Sequence, residues 1–221
     1  MLLAIDTATQ FASIALYQEG GVLSEHTWRS QNNHTVELVP NIVRLLEGQR
    51  ITTRALTGLA VALGPGSFTG LRIGLSVAKG LAFALKIPLV GLPTLDVLAY
   101  AHAPWGLPTW AIIQAGRGRI CAAFYPKDGP LPRSADYLLT TWTELEIEGD
   151  EPVLLCGEIN AQGARLLRQR LGERAVIASP AASLRRAGYL AELAWQRLQR
   201  GEADDLATLA PIYLHRPSIG E

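Results

Sequence analysis

The residues of this chain that could do chemistry are concentrated in two short runs and one histidine. Gly64-Pro65-Gly66-Ser67-Phe68-Thr69-Gly70-Leu71-Arg72 follows a continuous apolar run, Gly58-Leu59-Ala60-Val61-Ala62-Leu63, and precedes a long apolar stretch. A glycine-rich turn between a buried strand and a helix start presents backbone N–H groups and the positive end of the helix dipole, a setting that favours anions. A Walker-type phosphate loop needs Gly, four residues, then Gly-Lys-Ser/Thr, and the lysine is missing here. A Gly-x-Ser-x-Gly nucleophile elbow fails too, because Pro65 and Thr69 occupy the glycine positions around Ser67. Two readings stay open: a tight turn in which Ser67 or Thr69 caps the helix, or a loop that contacts an anion or another chain.

The second run, Leu2-Leu3-Ala4-Ile5-Asp6-Thr7-Ala8-Thr9, ends an apolar strand with an acid and two hydroxyls. Taken alone, an Asp closing a strand reads first as an ordinary Asx-turn or hairpin residue; the other reading is that Asp6 holds a metal-bound water, with Thr7 and Thr9 beside it at a cofactor. His34 opens a helical pattern, but two imidazoles on one helical face require histidines one turn apart, and the position four after His34 is Leu38. A capping or loop-ordering His34 is therefore expected, and no metal. His26, His102 and His215 are isolated, and Cys121 and Cys156 form no Cys-x-x-Cys pair, which suits buried thiols.

Placing these residues requires a scaffold. Strands are predicted over 2–6, 12–17 and 22–28, with polar turns between them, giving a three-stranded meander. Apolar residues at helical spacing predict a helix over 35–47, stopped by Gly48. A strand over 58–63, a helix over 71–85 and a strand over 86–91 form a crossover that implies parallel pairing. Pro104-Trp105-Gly106-Leu107-Pro108 is the richest breaker cluster mid-chain and divides a first lobe, 1–103, from a second, 104–221. The second lobe reads as strands over 110–114, 120–125, 153–156 and 175–177, a polar stretch over 126–132, and helices over 161–171 and 182–200. In the helix over 71–85 the polar residues are confined to Arg72, Ser76 and Lys79, while Gly70, Gly74, Ala78 and Ala82 make a small-residue stripe four apart. Such a helix either packs tightly on its own sheet and on the first helix or offers a face to another chain.

Composition narrows the function classes. The 221 residues are 48% hydrophobic, enough for two small lobes with cores, and 20 basic residues balance 20 acidic ones. No domain-wide positive field exists to gather phosphates, so any nucleic-acid contact is local or made through a partner. The N-terminus has no basic leader, and the longest apolar helix is interrupted by Arg72 and Lys79, so a soluble cytoplasmic protein without a membrane is expected.

Leu3-Ala4-Ile5-Asp6-Thr7-Ala8-Thr9, the Gly64–Arg72 block, Ala78-Lys79-Gly80-Leu81-Ala82 and the closing Pro211-Ile212-Tyr213-Leu214 resemble the TsaB family, formerly called YeaZ. The match runs from end to end, and the Gly64–Arg72 block carries most of its specificity. One departure is Gln114-Ala115-Gly116, where the family usually has Asp-Ala-Arg, so no role of that Asp or Arg carries over. The resemblance implies an α/β, two-lobed actin-like ATPase (ASKHA) fold with mixed sheets and a reduced second lobe, whose C-terminal segment packs back on the first. It further implies an eroded nucleotide pocket, with Asp6 standing where the phosphate-facing loop of an actin-like ATPase begins.

The function implied is that of a non-catalytic subunit in the machinery that transfers threonylcarbamoyl to the adenosine beside the tRNA anticodon. Its partners would be a TsaD-type transferase, bound through the first two helices, a TsaE-type ATPase, and a second copy of itself. It would reach tRNA only through the complex and would have no cofactor of its own, ATP and metal being held by the partners. The interface expected is Val39, Val43 and Leu46 of the first helix with Gly70, Arg72, Gly74, Ala78, Lys79 and Ala82 of the second, Arg72 and Lys79 giving local positive charge. The rival readings are a self-associating structural protein of the same fold, a small-molecule kinase, and a divergent metallopeptidase, the M22-like label of this superfamily branch. The kinase needs an acidic base and glycine-rich adenosine loops, and the peptidase needs a metal or an activated nucleophile.

Overall fold

The computed structural model describes residues 1–31, 33–127 and 137–213; part of the polar stretch over 126–132, together with Leu214 and His215, lies outside the described residues. Strands β1 (Leu2–Asp6), β2 (Phe11–Gln18) and β3 (Gly21–Arg29) form the meander, and helix α1 (His34–Gly48) leads to β4 (Gly58–Gly64). Helix α2 (Phe68–Leu85) then crosses to β5 (Leu89–Pro93), giving a sheet of order β3-β2-β1-β4-β5 in which β1, β4 and β5 are parallel. Helix α3 (Thr94–His102) leads into the second sheet, built from β6 (Thr109–Gly116), β7 (Arg119–Tyr125), β8 (Leu138–Thr141), β9 (Val153–Gly157) and β10 (Ala175–Ile177). Helix α4 (Ala161–Leu171) joins β9 to β10, and helix α5 (Ala187–Gln199) follows. The second sheet has order β10-β9-β6-β7-β8, with an antiparallel β6-β7-β8 meander and parallel β6, β9 and β10. Each lobe therefore repeats one plan, a meander followed by parallel strands. The second is reduced because no helix joins β8 to β9 where α1 joins β3 to β4.

Alternation along the strands explains the layering. Leu3 and Ile5 of β1 point to one face, against Leu38, Ile42 and Leu45 of α1 and Leu75, Ala78 and Ala82 of α2. Leu2 and Ala4 point to the other, where Ala187, Leu190, Ala191, Leu193 and Ala194 of α5 cover them. Helix α3 serves both sheets, with Val97 in the first core and Leu95, Leu98 and Ala99 against Ala111, Ile113 and Cys156 of the second. The segment after α5 protects the outer edge of β5: the Asp204 N–H donates to the Leu89 carbonyl, the Asp204 carboxylate accepts the Gly91 N–H at 2.7 Å, and Arg197 pairs with Asp204.

Four differences from the sequence reading have local causes. Helix α2 begins at Phe68, three residues earlier than the apolar pattern, because the Ser67 hydroxyl accepts the Gly70 N–H and caps it. Helix α5 begins at Ala187 rather than 182, because the Arg185 side chain is drawn into buried polar contacts with the first lobe. Helix α3 carries too few polar residues to show a period, and β8 is only four residues long. Helix α2 is long and apolar enough to cross a bilayer by length and composition alone. Here its Leu71, Leu75, Ala78 and Ala82 pack on the sheet as a core helix does.

Candidate functional site

Between the lobes lies a cleft of about 1160 Å³ whose lining includes Thr9, Gln114, Glu158 and Arg185. Asp6, at the end of β1, is buried; its Oδ1 accepts the Ala8 N–H at 2.8 Å, the Asx-turn that ends the strand. Its Oδ2 accepts from Arg185 Nε at 3.0 Å. The buried Arg185 guanidinium donates further, from Nη1 to Glu158 Oε1 at 3.0 Å and from Nη2 to Thr9 Oγ1 at 2.8 Å and the Phe11 carbonyl at 3.0 Å. The Thr9 hydroxyl also donates to Glu158. On the far side, Glu158 Oε2 accepts the Gln114 N–H at 3.0 Å, and Gln114 Nε2 donates to the Glu158 carbonyl at 2.8 Å. Burial works against the charge on Arg185, but the Asp6 and Glu158 carboxylates outweigh it, and its pKa is raised. A permanently charged arginine thus occupies the Asp6 carboxylate oxygen that the Asx-turn leaves free.

Of the three residues expected at a cofactor, Thr9 lines this cleft, Asp6 lies buried behind Arg185, and Thr7 does not reach it. The Thr7 hydroxyl donates to the Gly70 carbonyl at 2.7 Å and lies against α2. A Cβ on Gly70 would run into the Thr7 carbonyl, one on Gly74 into the Thr7 hydroxyl, and one on Gly66 into the Ala8 carbonyl. The Gly64, Pro65, Gly66, Ser67, Phe68 and Thr69 loop is thus clamped to the hairpin after β1, with the Ser67 N–H donating to the Ala8 carbonyl at 2.6 Å. His34 is buried and its Nε2–H donates to the Thr9 carbonyl at 3.0 Å, which ties the start of α1 to the same hairpin. Among the described residues, no group of three or more His, Cys, Asp or Glu side chains is arranged to hold a metal. Burial pushes the Cys121 thiol up to about 12 and raises Cys156 further, so neither is a nucleophile near neutral pH.

The small-residue stripe requires a correction. Gly70, Gly74, Ala78 and Ala82 are buried and face β1 and the core, and Leu46 is buried in the same core. Gly70 and Gly74 are small because α2 crosses close over Thr7, and burial keeps the whole stripe from a second chain. What remains open is the other side of both helices: Val36, Val39 and Val43 of α1 and Phe83 of α2 are exposed, with Ile73 and Val77 partly so. Lys79 is half-buried at its edge, whereas Arg72 is engaged at the loop, its guanidinium 3.7 Å from the Phe68 ring centre and its Nε donating to Tyr213 Oη at 2.8 Å. Sequence reasoning missed Glu158, Arg185 and Gln114 as a unit, because 179 positions separate Asp6 from Arg185 and no local motif links them.

The family model for TsaD, tRNA N6-adenosine threonylcarbamoyltransferase, matches residues 4–130. A protein of Bacillus subtilis named "tRNA threonylcarbamoyladenosine biosynthesis protein TsaB" is 33% identical over 217 residues, covering 96% of this chain and 93% of its own. The chain belongs to the TsaB family. A TsaB of Escherichia coli is 35% identical over 131 residues, 58% of this chain and 55% of its own. Among solved structures, YeaZ from Pseudomonas aeruginosa superposes with a TM-score of 0.80 at 28% identity, covering 96% of this chain and 99% of that one. An activator of 2-hydroxyisocaproyl-CoA dehydratase from Clostridium difficile shares the actin-like fold at a TM-score of 0.51 and 10% identity, covering 92% of this chain and 97% of that one. The fold class is therefore that of a two-lobed actin-like ATPase, and in this TsaB family member the floor of the interlobe cleft carries Arg185.

Proposed function

We propose that this protein is a non-catalytic subunit in the biosynthesis of threonylcarbamoyladenosine in tRNA, which binds and activates a TsaD-type transferase through the open side of α1 and α2. The observation that carries this reading is the exposure of Val36, Val39, Val43 and Phe83 on two adjacent helices, Val36 being 69% and Phe83 79% exposed. An apolar face of that kind on a folded lobe suits a partner surface. The catalytic chemistry belongs to the partners: the transferase and a TsaE-type ATPase supply metal and ATP, and tRNA is reached through the complex in the cytoplasm. Occupation of Asp6 by Arg185 supports the non-catalytic role, since a kinase or metallopeptidase of this fold would need that acid, or another, free for a metal.

The test is size exclusion of the purified chain with a TsaD-type protein, followed by assay of tRNA modification. A co-eluting complex, lost together with modification in Val39→Glu and Phe83→Glu while both variants keep the wild-type circular dichroism, supports the proposal. The same apolar face also favours a second reading, self-association, which light scattering of the chain alone measures. Dimer formation by the same residues with no response to the transferase would make self-association the function of the face. Peptidase or kinase turnover in the presence of a divalent metal that disappears with Asp6→Asn would sink the non-catalytic assignment.

A further inference from the structure

Three consecutive residues after β1 hold the starts of both partner-facing helices. The Thr7 hydroxyl donates to the Gly70 carbonyl in the first turn of α2, at 2.7 Å. The Ala8 carbonyl accepts from the N–H of Ser67, the N-cap of α2, at 2.6 Å. The Thr9 carbonyl accepts from His34 Nε2, at the first position of α1, at 3.0 Å. These contacts leave little slack: a Cβ on Gly66 would run into the Ala8 carbonyl and one on Gly70 into that of Thr7, so backbone meets backbone. The His34 ring has no second anchor among the described residues, because its Nδ1 is buried without a hydrogen-bond partner and the Thr9 carbonyl alone orients it.

The same hairpin is gripped from the second lobe. Asp6 and Thr9, on either side of Thr7 and Ala8, both accept N–H groups of Arg185, at 3.0 and 2.8 Å, and a further one goes to the Phe11 carbonyl. Arg185 is fixed in turn by Glu158 at 3.0 Å, and the Thr9 hydroxyl donates to that carboxylate as well. The other oxygen of Glu158 is held by the Gln114 N–H. Thr9 is thus a junction whose hydroxyl faces the second lobe and whose carbonyl faces α1.

We infer that the second lobe, through Arg185 and Glu158, positions the starts of α1 and α2 and so sets the geometry of their partner-facing sides. This rests on the reading of α1 and α2 as the transferase-binding face. The links are charge-assisted or backbone hydrogen bonds, which are directional, and they form one contiguous chain from Glu158 to the first turn of each helix. Val36 stands two residues after His34 and is 69% exposed, so a displacement of the helix start moves an interface side chain directly. Farther along, Leu38, Ile42 and Leu45 keep α1 in the core, so loosening the hairpin shifts the first turn without melting the helix. Arg185 is buried and Glu158 lines the interlobe cleft, so neither belongs to the exposed helix face; both are positioning residues that act through Thr9.

Two readouts on the full chain test the inference: nuclear magnetic resonance of the His34 imidazole nitrogens and of the backbone amides over 34–39 and 67–73, and affinity for a TsaD-type transferase. Thr9→Val removes the hydroxyl at the junction and keeps the carbonyl, while Glu158→Gln removes the carboxylate charge. In both variants the His34 Nε2 resonance and the amides of both helix starts should shift, and affinity should fall about fivefold, the low end of coupling between separate sites. Combining the two should lose less than the product of the single effects, because they share one path. Thr9→Ser keeps the hydroxyl and should match the wild type in both readouts. Leu167→Ala, in the core under α4, should lower the melting temperature and change neither readout. Equal loss of affinity in that control, unmoved helix-start resonances in Thr9→Val and Glu158→Gln, or shifted resonances with wild-type affinity would each overturn the inference. If the wild type itself binds no transferase, the proposed function fails and the resonances alone decide the coupling: shifts at both helix starts support it, and shifts confined to residues 6–11 and the second lobe overturn it.

Discussion

Two buried charges set the chemistry at the residue scale, and they act in opposite ways. Arg185 is buried with both of its carboxylates in place, so removing it leaves Asp6 and Glu158 without their cation in a poorly solvated site. Breaking a buried pair in this way costs about 3 to 5 kcal/mol, and Arg185→Met should lower thermal stability accordingly. The double variant Asp6→Asn with Arg185→Met should recover part of that loss, because the stranded charge at position 6 is gone. Asp96 is the contrary case: it is buried on α3 and accepts the Tyr125 hydroxyl at 2.7 Å, and among the described residues no cation pairs with it. Burial raises its pKa from 3.8 to about 6, against the smaller lowering by the Tyr125 hydrogen bond. Between those two values the folded state binds the proton and the unfolded chain does not. The contribution of Asp96 to stability therefore falls as pH rises from about 4 to about 6 and stays lost above, by up to about 3 kcal/mol at ~1.4 kcal/mol per unit. Asp96→Asn should remove that decline, so the variant gains on the wild type in chemical-denaturation midpoint across this window. A parallel offset at all pH values would show that Asp96 does not titrate there.

At the scale of the element, α2 has two sides with separate duties. Its inner stripe carries Gly70 and Gly74 where Thr7 leaves no room for a Cβ. Gly74→Leu should therefore destabilise the monomer by about 3 kcal/mol, the upper range for overpacking, with loss of native circular dichroism on mild heating. The outer side tolerates change: Phe83→Glu should leave the melting temperature within a degree or two, because a side chain 79% exposed loses little packing. If Gly74→Leu folded normally and only the partner were lost, the inner stripe would have to face outward after all.

For the whole molecule, α5 is the element that makes two lobes one structure. It leaves the second lobe and covers β1 and β2 of the first, where Leu190, Ala191 and Leu193 pack against Leu2, Ala4 and Ala15. Gly188 fits under Val22, and its N–H donates to Glu25. Leu193→Ala should cost about 2 to 5 kcal/mol, as cavity-forming core substitutions do. A fragment ending before Ala187 should fail to show a cooperative unfolding transition, since β1 and β2 would lose the helix that covers one face of the first sheet and only α3 would remain on it. A cooperative melt of that fragment would mean the first lobe is self-sufficient.

The sequence by itself determined the strands of the first meander, the crossover, most boundaries of the second lobe and the family, because apolar alternation, helical spacing and glycine-proline punctuation are local signals. It also located the loop after β4 and the acid at position 6. Which way the small stripe of α2 faces was left to the tertiary structure, since a row of small residues permits close approach by a sheet or by another helix equally well. The partner of Asp6 was decided there too. An ion pair spanning 179 positions exists only once α5 has brought Arg185 back across the first lobe, and no spacing in the chain encodes that return.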